Sequence, residues 1–360
     1  MLKLDKIISL LPQPWPRHAP ANGAHIERAM RDPVSAAVIG TNPGRFPGMC
    51  GVPRYLYPEA SEEALLLGLE LNIWGFYFDD PFDDGDISLL ERTAGTSLIG
   101  RMVEVLETGA SPPDPSPLEL LCLQFRERAR MLCRGRPQTW RRFVQSCVHW
   151  TDSVLPAART QHFATLPDLS AYNEVRRTNI GIIPLACINE IDGPLQLDEA
   201  FFADPVIRRL HELTCLIIVH CNDLYSYEKE RRLSAQPFNS LFLRQHHYHL
   251  GLEAAFEQHL AGIAAWLNEL SELDGRLRAE VPVEPGDRAQ KQAQALYVER
   301  LKGLILGNHL WSINDGRYSS LTSPFEELRV TKECRVKLTT SPNRPGGAGS
   351  PVQATIPRST

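Results

Sequence analysis

The apolar run LTCLIIVHC (Leu213–Cys221) passes without glycine or proline into NDLYSYEKE (Asn222–Glu230), and no other stretch limits the fold as strongly. Continued as one helix, it sets Asn222, Ser226 and Glu230 at i, i+4 and i+8, each step turning about 40° around the axis, so all three share a face. An amide oxygen, a hydroxyl and a carboxylate are hard donors that suit Mg²⁺ or Mn²⁺ rather than zinc or copper. Helical side chains lean toward the N-terminus, so Glu230 can reach back over the roughly 12 Å that separates it from Asn222 along the axis. Taken alone, the triplet reads more readily as the wet face of an amphipathic helix. The remaining sequence decides between the two.

With 360 residues, 43% of them hydrophobic, the chain can bury a large core, and its net charge of −5 comes with Lys and Arg scattered along it. No electrostatic footprint for nucleic acid is present. Eight cysteines (Cys50, Cys122, Cys133, Cys147, Cys187, Cys215, Cys221 and Cys334) form no C-x-x-C pair and read as reduced core residues. The N-terminus MLKLDKIISLLPQPWP is broken by prolines before a secretory h-region develops, and no apolar run reaches about 18 residues. A soluble cytoplasmic protein without a membrane partner is expected.

Residues 1–57 hold Pro12, Pro14, Pro16, Pro20, Pro43, Pro47 and Pro53 and are expected to be irregular and to wrap the core. From Ser61 the pattern turns helical. SEEALLLGLELNIWGFYF spaces Leu65, Leu69, Ile73 and Phe76 at helical intervals and runs into DDPFDD, where Pro81 is expected to disturb the helix. Further helices are predicted over Ser88–Thr108, Leu118 to about Arg134, Thr139 to about His162, a short stretch near Phe201, Asp204–Arg232, Leu250–Ala279 and Ala289–Ile313. In LSAYNEVRRTNIGIIP (Leu169–Pro184) the sequence favours a helix that breaks at Asn179, Gly181 or Pro184. From Thr322, and above all from Ser341, the composition is that of a disordered tail. Repeats and strand alternation are absent, so the fold class is all-α, one helical domain over residues 58–321.

A second acidic cluster, Asp79-Asp80-Pro81-Phe82-Asp83-Asp84, follows the aromatic patch Trp74, Phe76, Tyr77 and Phe78. Ionised carboxylates a few ångströms apart repel by a few kcal/mol per pair at an effective dielectric of about 20, and cations between them relieve this. Asp79 and Asp83, at i and i+4, face the same way. Two hard-metal clusters on separate helices suggest a polyphosphate ligand, since Mg²⁺ is commonly held by a few carboxylates together with substrate phosphates. Candidate counter-charges are Arg176 or Arg177, Lys229, and the Arg317-Tyr318 pair.

From about Pro12 to Tyr318 the chain resembles the bacterial class I terpene synthases. Asp79-Asp80-Pro81-Phe82-Asp83 fits their DDxxD motif, and Asn222–Glu230 fits ND-L/I/V-x-S-x-x-x-E without departure. Arg176, 46 residues before Asn222, falls where the family places its diphosphate sensor, and Arg317-Tyr318 fits its RY pair. The resemblance implies an isoprenoid-synthase helical bundle and three Mg²⁺ ions, with Mn²⁺ as the alternative. Asp79 would hold two of them, with Asp83 ranked below it, and Asn222, Ser226 and Glu230 the third. Arg176, Lys229, Arg317 and Tyr318 would grip the diphosphate. Phe76 and Trp311 would wall the pocket, and the small effector residue at the helix break falls on Asn179, Ile180 or Gly181 according to which Arg is the sensor.

The implied reaction is metal-triggered ionisation of a prenyl diphosphate and carbocation cyclisation, with farnesyl diphosphate as substrate and geranylgeranyl diphosphate as the rival. Chain elongation is disfavoured, because the second aspartate-rich motif of elongating enzymes is replaced by the Asn/Ser/Glu set. A non-catalytic helical scaffold is the reading from another class, and the resemblance leaves room for a homodimer.

Overall fold

The computed structural model describes residues 2–11, 15, 20–83, 93–163, 165–193, 195, 197–234, 236–279 and 288–329. Fifteen α-helices run through them: α1 (Asp5–Leu10), α2 (Ala24–Arg31), α3 (Pro33–Thr41), α4 (Val52–Leu56), α5 (Glu62–Asp83), α6 (Thr93–Thr108), α7 (Pro117–Leu132), α8 (Pro137–Phe163), α9 (Leu169–Asn179), α10 (Ile182–Ile191), α11 (Glu199–Ala203), α12 (Pro205–Leu233), α13 (Ser240–His247), α14 (Leu252–Ala279) and α15 (Arg288–Asn314). The extended chain contributes a single isolated bridge, Leu2 to Phe325, among the described residues. None of the described helices is long and apolar enough to cross a membrane.

Local chemistry sets the helix starts. Ser116 and Glu119 form a reciprocal capping box before α7, with Pro117 in the first turn. Asp168 caps α9, Asp204 caps α12 ahead of Pro205, and Asn239 caps α13 through the backbone N–H groups of Leu241 and Phe242. The apolar run of α12 is almost wholly buried from Leu213 to Cys221, because this helix packs against α9, α13, α14 and α15. On the other side of the bundle α5 packs against α2, α4, α7 and α10, and α8 against α6, α9 and α10. Glu70, buried within α5, is matched by Arg128 at 2.8 Å.

Four sequence expectations change. Residues 1–57 are not irregular: between their prolines they form α1–α4 and a 3₁₀ turn, since a proline can serve as a first-turn residue or a break without forbidding helix outright. Helix α5 continues through Pro81 to Asp83, because a proline in the last turn removes only one hydrogen bond. Helix α13 is an addition to the expected set, its eight residues being too short for periodicity to show. Residues 323–329 are packed rather than tail-like: Phe325 and Leu328 are buried, and Glu327 accepts from the backbone N–H groups of Leu4 and Asp5 at 2.9 Å each. The tail expected from Ser341 lies outside the described residues, as does the start of the helix expected at Ser88. Seven cysteines are buried free thiols, and Cys334 falls outside the description.

One glycine decides how the N-terminal part is held. A Cβ on Gly307 of α15 would lie 2.3 Å from the Tyr55 carbonyl oxygen, so only glycine lets α4 rest directly on α15. That contact fixes the segment just before α4 beside the end of α15.

Candidate active site

A cavity of about 660 Å³ opens between α5, α8, the α9–α10 break, α12 and the end of α15. Its lining gathers residues far apart in sequence: Asp79, Arg176, Asn222, Ser226, Lys229, Glu230, Arg317 and Tyr318, with Phe76, Trp311, Ile180 and Gly181. Of the site residues expected from the sequence, the alternative sensor Arg177 is absent from this lining, and the side chain of Asp83 lies outside the described residues.

On the α12 wall, Asn222 Nδ2 donates to the Tyr318 hydroxyl at 2.9 Å, and the Ser226 hydroxyl donates to the Asn222 carbonyl at 2.9 Å. Glu230 accepts from Asn239 Nδ2 at 2.8 Å. Asp223, inside the same motif, points away from the cavity into the bundle. It accepts from the Tyr172 hydroxyl at 2.7 and 2.8 Å, from the Ser240 N–H at 3.0 Å and from the Ser240 hydroxyl. It thus ties α12 to α9 and α13 and sets the rotation that turns Asn222, Ser226 and Glu230 inward. Burial pushes the Asp223 carboxyl up, with Arg176 pulling the other way. Burial and the Asp223 charge push Glu230 up to about 7, opposed by its Asn239 and Ser226 hydrogen bonds.

The break between α9 and α10 is built from two linked hydrogen bonds and a glycine. Arg176 Nη1 donates to Asn179 Oδ1 at 2.9 Å, and the Asn179 carbonyl accepts from Trp150 Nε1 at 2.8 Å. Gly181 follows at φ +74°, and a Cβ there would stand 3.2 Å from Trp150 Nε1. A side chain is disfavoured there on both counts. Arg177, the alternative sensor, is turned outward to Glu174 at 2.6 Å and Glu212 at 3.5 Å.

Across the cavity, Asp79 and Asp80 project from the last turns of α5. Arg45 Nε meets Asp80 Oδ2 at 2.6 Å, with both side chains only 16% exposed. One turn earlier the Tyr77 hydroxyl donates to the Asn42 carbonyl at 2.7 Å, so the chain after α3 is fastened to α5 twice. A Cβ on Gly48 in that chain would lie 3.4 Å from Arg317 Cβ. The Arg317 guanidinium sits 4.4 Å over the Phe76 ring, and Trp311 Nε1 donates to Asp315 at 2.9 Å. Below these, Trp74 and Trp150 meet edge to face at 5.1 Å, and Ile180, Ile182, Ile218 and Phe238 complete an apolar chamber. Trp74, buried in the core, also lines this wall.

The donor set fits a hard divalent ion. Among the described residues no three His, Cys, Asp or Glu side chains gather into a metal cluster. Asn222, Ser226 and Glu230 instead offer mixed oxygens from one helix toward Asp79 and Asp80 on another, and phosphate oxygens are the natural partners to complete such a shell. Sequence reasoning missed Arg45, the Asn179–Trp150 contact, the Tyr172–Asp223–Ser240 support, and the chamber residues Asn72 and Asn308. None has a spacing signature, and each takes its place through the tertiary fold.

Residues 70–268 match the model of terpene synthase family 2, C-terminal metal binding. Among curated proteins, the chain is 33% identical over 282 residues to terpene synthase 1 of Tieghemostelium lacteum, covering 78% of this chain and 77% of that protein. It is 33% identical over 289 residues to terpene synthase 2 of Dictyostelium discoideum, covering 79% and 82%. Among solved structures, a linalool/nerolidol synthase from Streptomyces clavuligerus in complex with 2-fluorogeranyl diphosphate superposes with a TM-score of 0.69 at 19% identity over 84% of this chain and 97% of that one. A cucumene synthase carrying one substitution gives 0.70 at 23% identity over 85% and 99%. These structures share the all-α class I terpene synthase fold. The curated relatives come from Tieghemostelium and Dictyostelium, so they carry the family but not the bacterial subgroup suggested by the motifs. The chain belongs to the terpene synthase family.

Proposed function

We propose that the protein is a Mg²⁺-dependent class I cyclase that ionises farnesyl diphosphate and closes the resulting carbocation to a sesquiterpene. What supports this is the two-ended cavity: oxygen donors and cations converge at one end, and aromatic and aliphatic walls enclose the other. Asp79 with the α12 triad would hold the ions, and these supply electrostatic stabilisation of the departing diphosphate.

The chain's own residues do the rest. Arg176, Lys229, Arg317 and the Tyr318 hydroxyl donate to the diphosphate as the allylic C–O bond breaks. Arg176 is held for this by Asn179, and Tyr318 by Asn222. Phe76, Trp74 and Trp311 then face the cation with ring quadrupoles worth roughly 0.5–2 kcal/mol each. Their size also keeps bulk water away from the reacting chain. Asp223 stays with Tyr172 and Ser240 and positions the triad without touching the ligand.

The first solved neighbour holds a fluorinated geranyl diphosphate, the ligand class that this cation-rich end fits. Incubation with geranyl, farnesyl and geranylgeranyl diphosphates, with and without Mg²⁺, tests the proposal. Diphosphate release should require Mg²⁺ and be fastest with farnesyl diphosphate. Fastest turnover of geranylgeranyl diphosphate would reassign the enzyme to diterpenes, and inertness toward all three would overturn the reading.

A further inference from the structure

Arg317 and Tyr318 lie three and four residues beyond Asn314, the last residue of α15, so helical geometry does not fix where they point. Anchors on either side of the pair must do so. Upstream, Asp315 accepts from Trp311 Nε1 at 2.9 Å. Downstream, the chain turns through Ser320 and Thr322 and meets Glu228 and Arg232, two residues of α12 that lie outside the metal triad and do not line the cavity.

Arg232 Nη2 donates to the Ser320 hydroxyl at 2.7 Å and to the Thr322 hydroxyl. The Thr322 hydroxyl in turn donates to Glu228 Oε1, which also accepts from Arg232 Nε at 3.2 Å. Arg232, Thr322 and Glu228 thus close a ring of hydrogen bonds, and Ser320 joins it through Arg232. Tyr225, Glu228 and Arg232 stand at i, i+3 and i+7 and share one stripe of α12, about a third of a turn round from Asn222, Ser226 and Glu230. The Tyr225 ring lies 6.1 Å from the Tyr318 ring, and its hydroxyl is hydrogen-bonded to His309 Nδ1 at 2.6 Å. Helix α12 therefore carries a metal stripe and, beside it, a docking stripe for the chain that bears Arg317 and Tyr318.

Folding does not call for this clasp. An ion pair whose Arg side chain is 57% exposed adds little stability. The turn has its own support as well, since the Ser320 N–H donates to the Leu328 carbonyl at 2.8 Å and Arg329 Nε to the Leu321 carbonyl at 3.0 Å. What the clasp adds is a link from that turn to the metal helix.

We infer that Glu228 and Arg232 are positioning residues for the diphosphate grip: by seating the chain after Tyr318 on α12, they hold Arg317 and Tyr318 at the distance from the metal triad that a diphosphate bridges. The inference rests on the proposed cyclase reading and extends it to two residues that act through others. Misplaced donors lose affinity because a charge-assisted hydrogen bond weakens steeply with distance and angle.

Inorganic pyrophosphate, the leaving group itself, is the probe. It is titrated calorimetrically with Mg²⁺ into the wild type, Arg232→Ala and the double variant Ser320→Ala/Thr322→Val, and diphosphate release from prenyl diphosphates is measured alongside. The double variant breaks the clasp while keeping every charge, which separates placement from a plain attraction between Arg232 and an anion. The pyrophosphate dissociation constant should rise roughly fivefold in both variants, with melting temperatures close to wild type. A dissociation constant, unlike a rate, does not depend on how much of a variant folds. Wild-type affinity in either variant would overturn the inference and leave the cyclase reading standing. A wild type that binds no pyrophosphate with Mg²⁺ would overturn it too, and the release assay then decides separately whether the cyclase reading stands.

Discussion

Gly181→Ala perturbs the structure that aims Arg176 into the cavity, and its effect can be worked out in advance. Gly181 has φ +74°, where an L-residue costs about 1–2 kcal/mol. The new methyl would lie 3.2 Å from Trp150 Nε1, so the indole must shift by a few tenths of an ångström. Its 2.8 Å hydrogen bond to the Asn179 carbonyl then weakens, worth about 0.5–1 kcal/mol. Loss of glycine freedom in the unfolded chain returns about 0.4–1 kcal/mol. The net loss is about 1–2 kcal/mol, a fall in melting temperature of roughly 2–4 °C for a large domain. Activity should suffer more than stability, because Asn179 is also the residue that holds Arg176. Diphosphate release should drop by at least about tenfold, as expected when a charge-stabilising donor is misplaced. Trp150→Phe keeps an aromatic ring but removes the donor, and should reproduce a lesser part of the activity loss without the backbone strain. Thermal melts and a pyrophosphate-release assay on both variants check the account. Wild-type release rates in both would refute the link from Gly181 through Trp150 and Asn179 to Arg176.

Arg45→Ala removes a positive charge 2.6 Å from Asp80 in a mostly buried setting and should cost about 1–3 kcal/mol; Arg45→Lys should restore part of it, and equal melting temperatures for all three proteins would deny the pair any weight. Burial holds these four imidazoles below the usual 6.5: His25, His211 and His309 at about 4, and His259 at about 3. Each is neutral when folded and takes a proton on unfolding, so stability present above pH 6.5 is lost as the pH falls toward 4. At pH 5 each accounts for up to about 2 kcal/mol, roughly 1.5 units at about 1.4 kcal/mol. Glu230, raised by burial and by the Asp223 charge, acts in the opposite sense and partly offsets them. The metal-free protein should therefore melt lower at pH 5 than at pH 7, and a flat or rising melting temperature would contradict these assignments. Phe76→Ala should change the product distribution per diphosphate released, because the ring faces both Trp311 and Arg317; an unchanged distribution would take Phe76 off the chamber wall.

Helix α12 is legible in the sequence because nine consecutive apolar-dominated positions followed by donors at i, i+4 and i+8 leave few alternatives. The break at Asn179–Gly181 is legible too, since glycine and proline mark it directly. Which of Arg176 and Arg177 enters the cavity is not, because adjacent residues differ by about 100° on a helix and only packing fixes its rotation. Here Tyr172, on α9, is anchored by Asp223, and that contact spans 51 residues of chain. Arg45 is hidden for a related reason. It lies in a proline- and glycine-rich segment without periodicity, and reaches Asp80 only because Tyr77 and Gly307 seat that segment on α5 and α15. Asn72 and Asn308 read as ordinary polar positions on apolar helices until the cavity wall is seen.

The central claim, a metal clamp on α12 facing Asp79 across one cavity, is tested most directly by Mg²⁺-dependent diphosphate release from farnesyl diphosphate in the wild type, Asn222→Ala and Glu230→Ala. The wild type should release diphosphate only with the metal present, and each variant should fall at least about a hundredfold. Their melting temperatures should stay close to wild type, because Glu230 is a buried carboxylate beside Asp223 whose loss relieves repulsion. Wild-type rates in either variant, or release that ignores Mg²⁺, would contradict the claim.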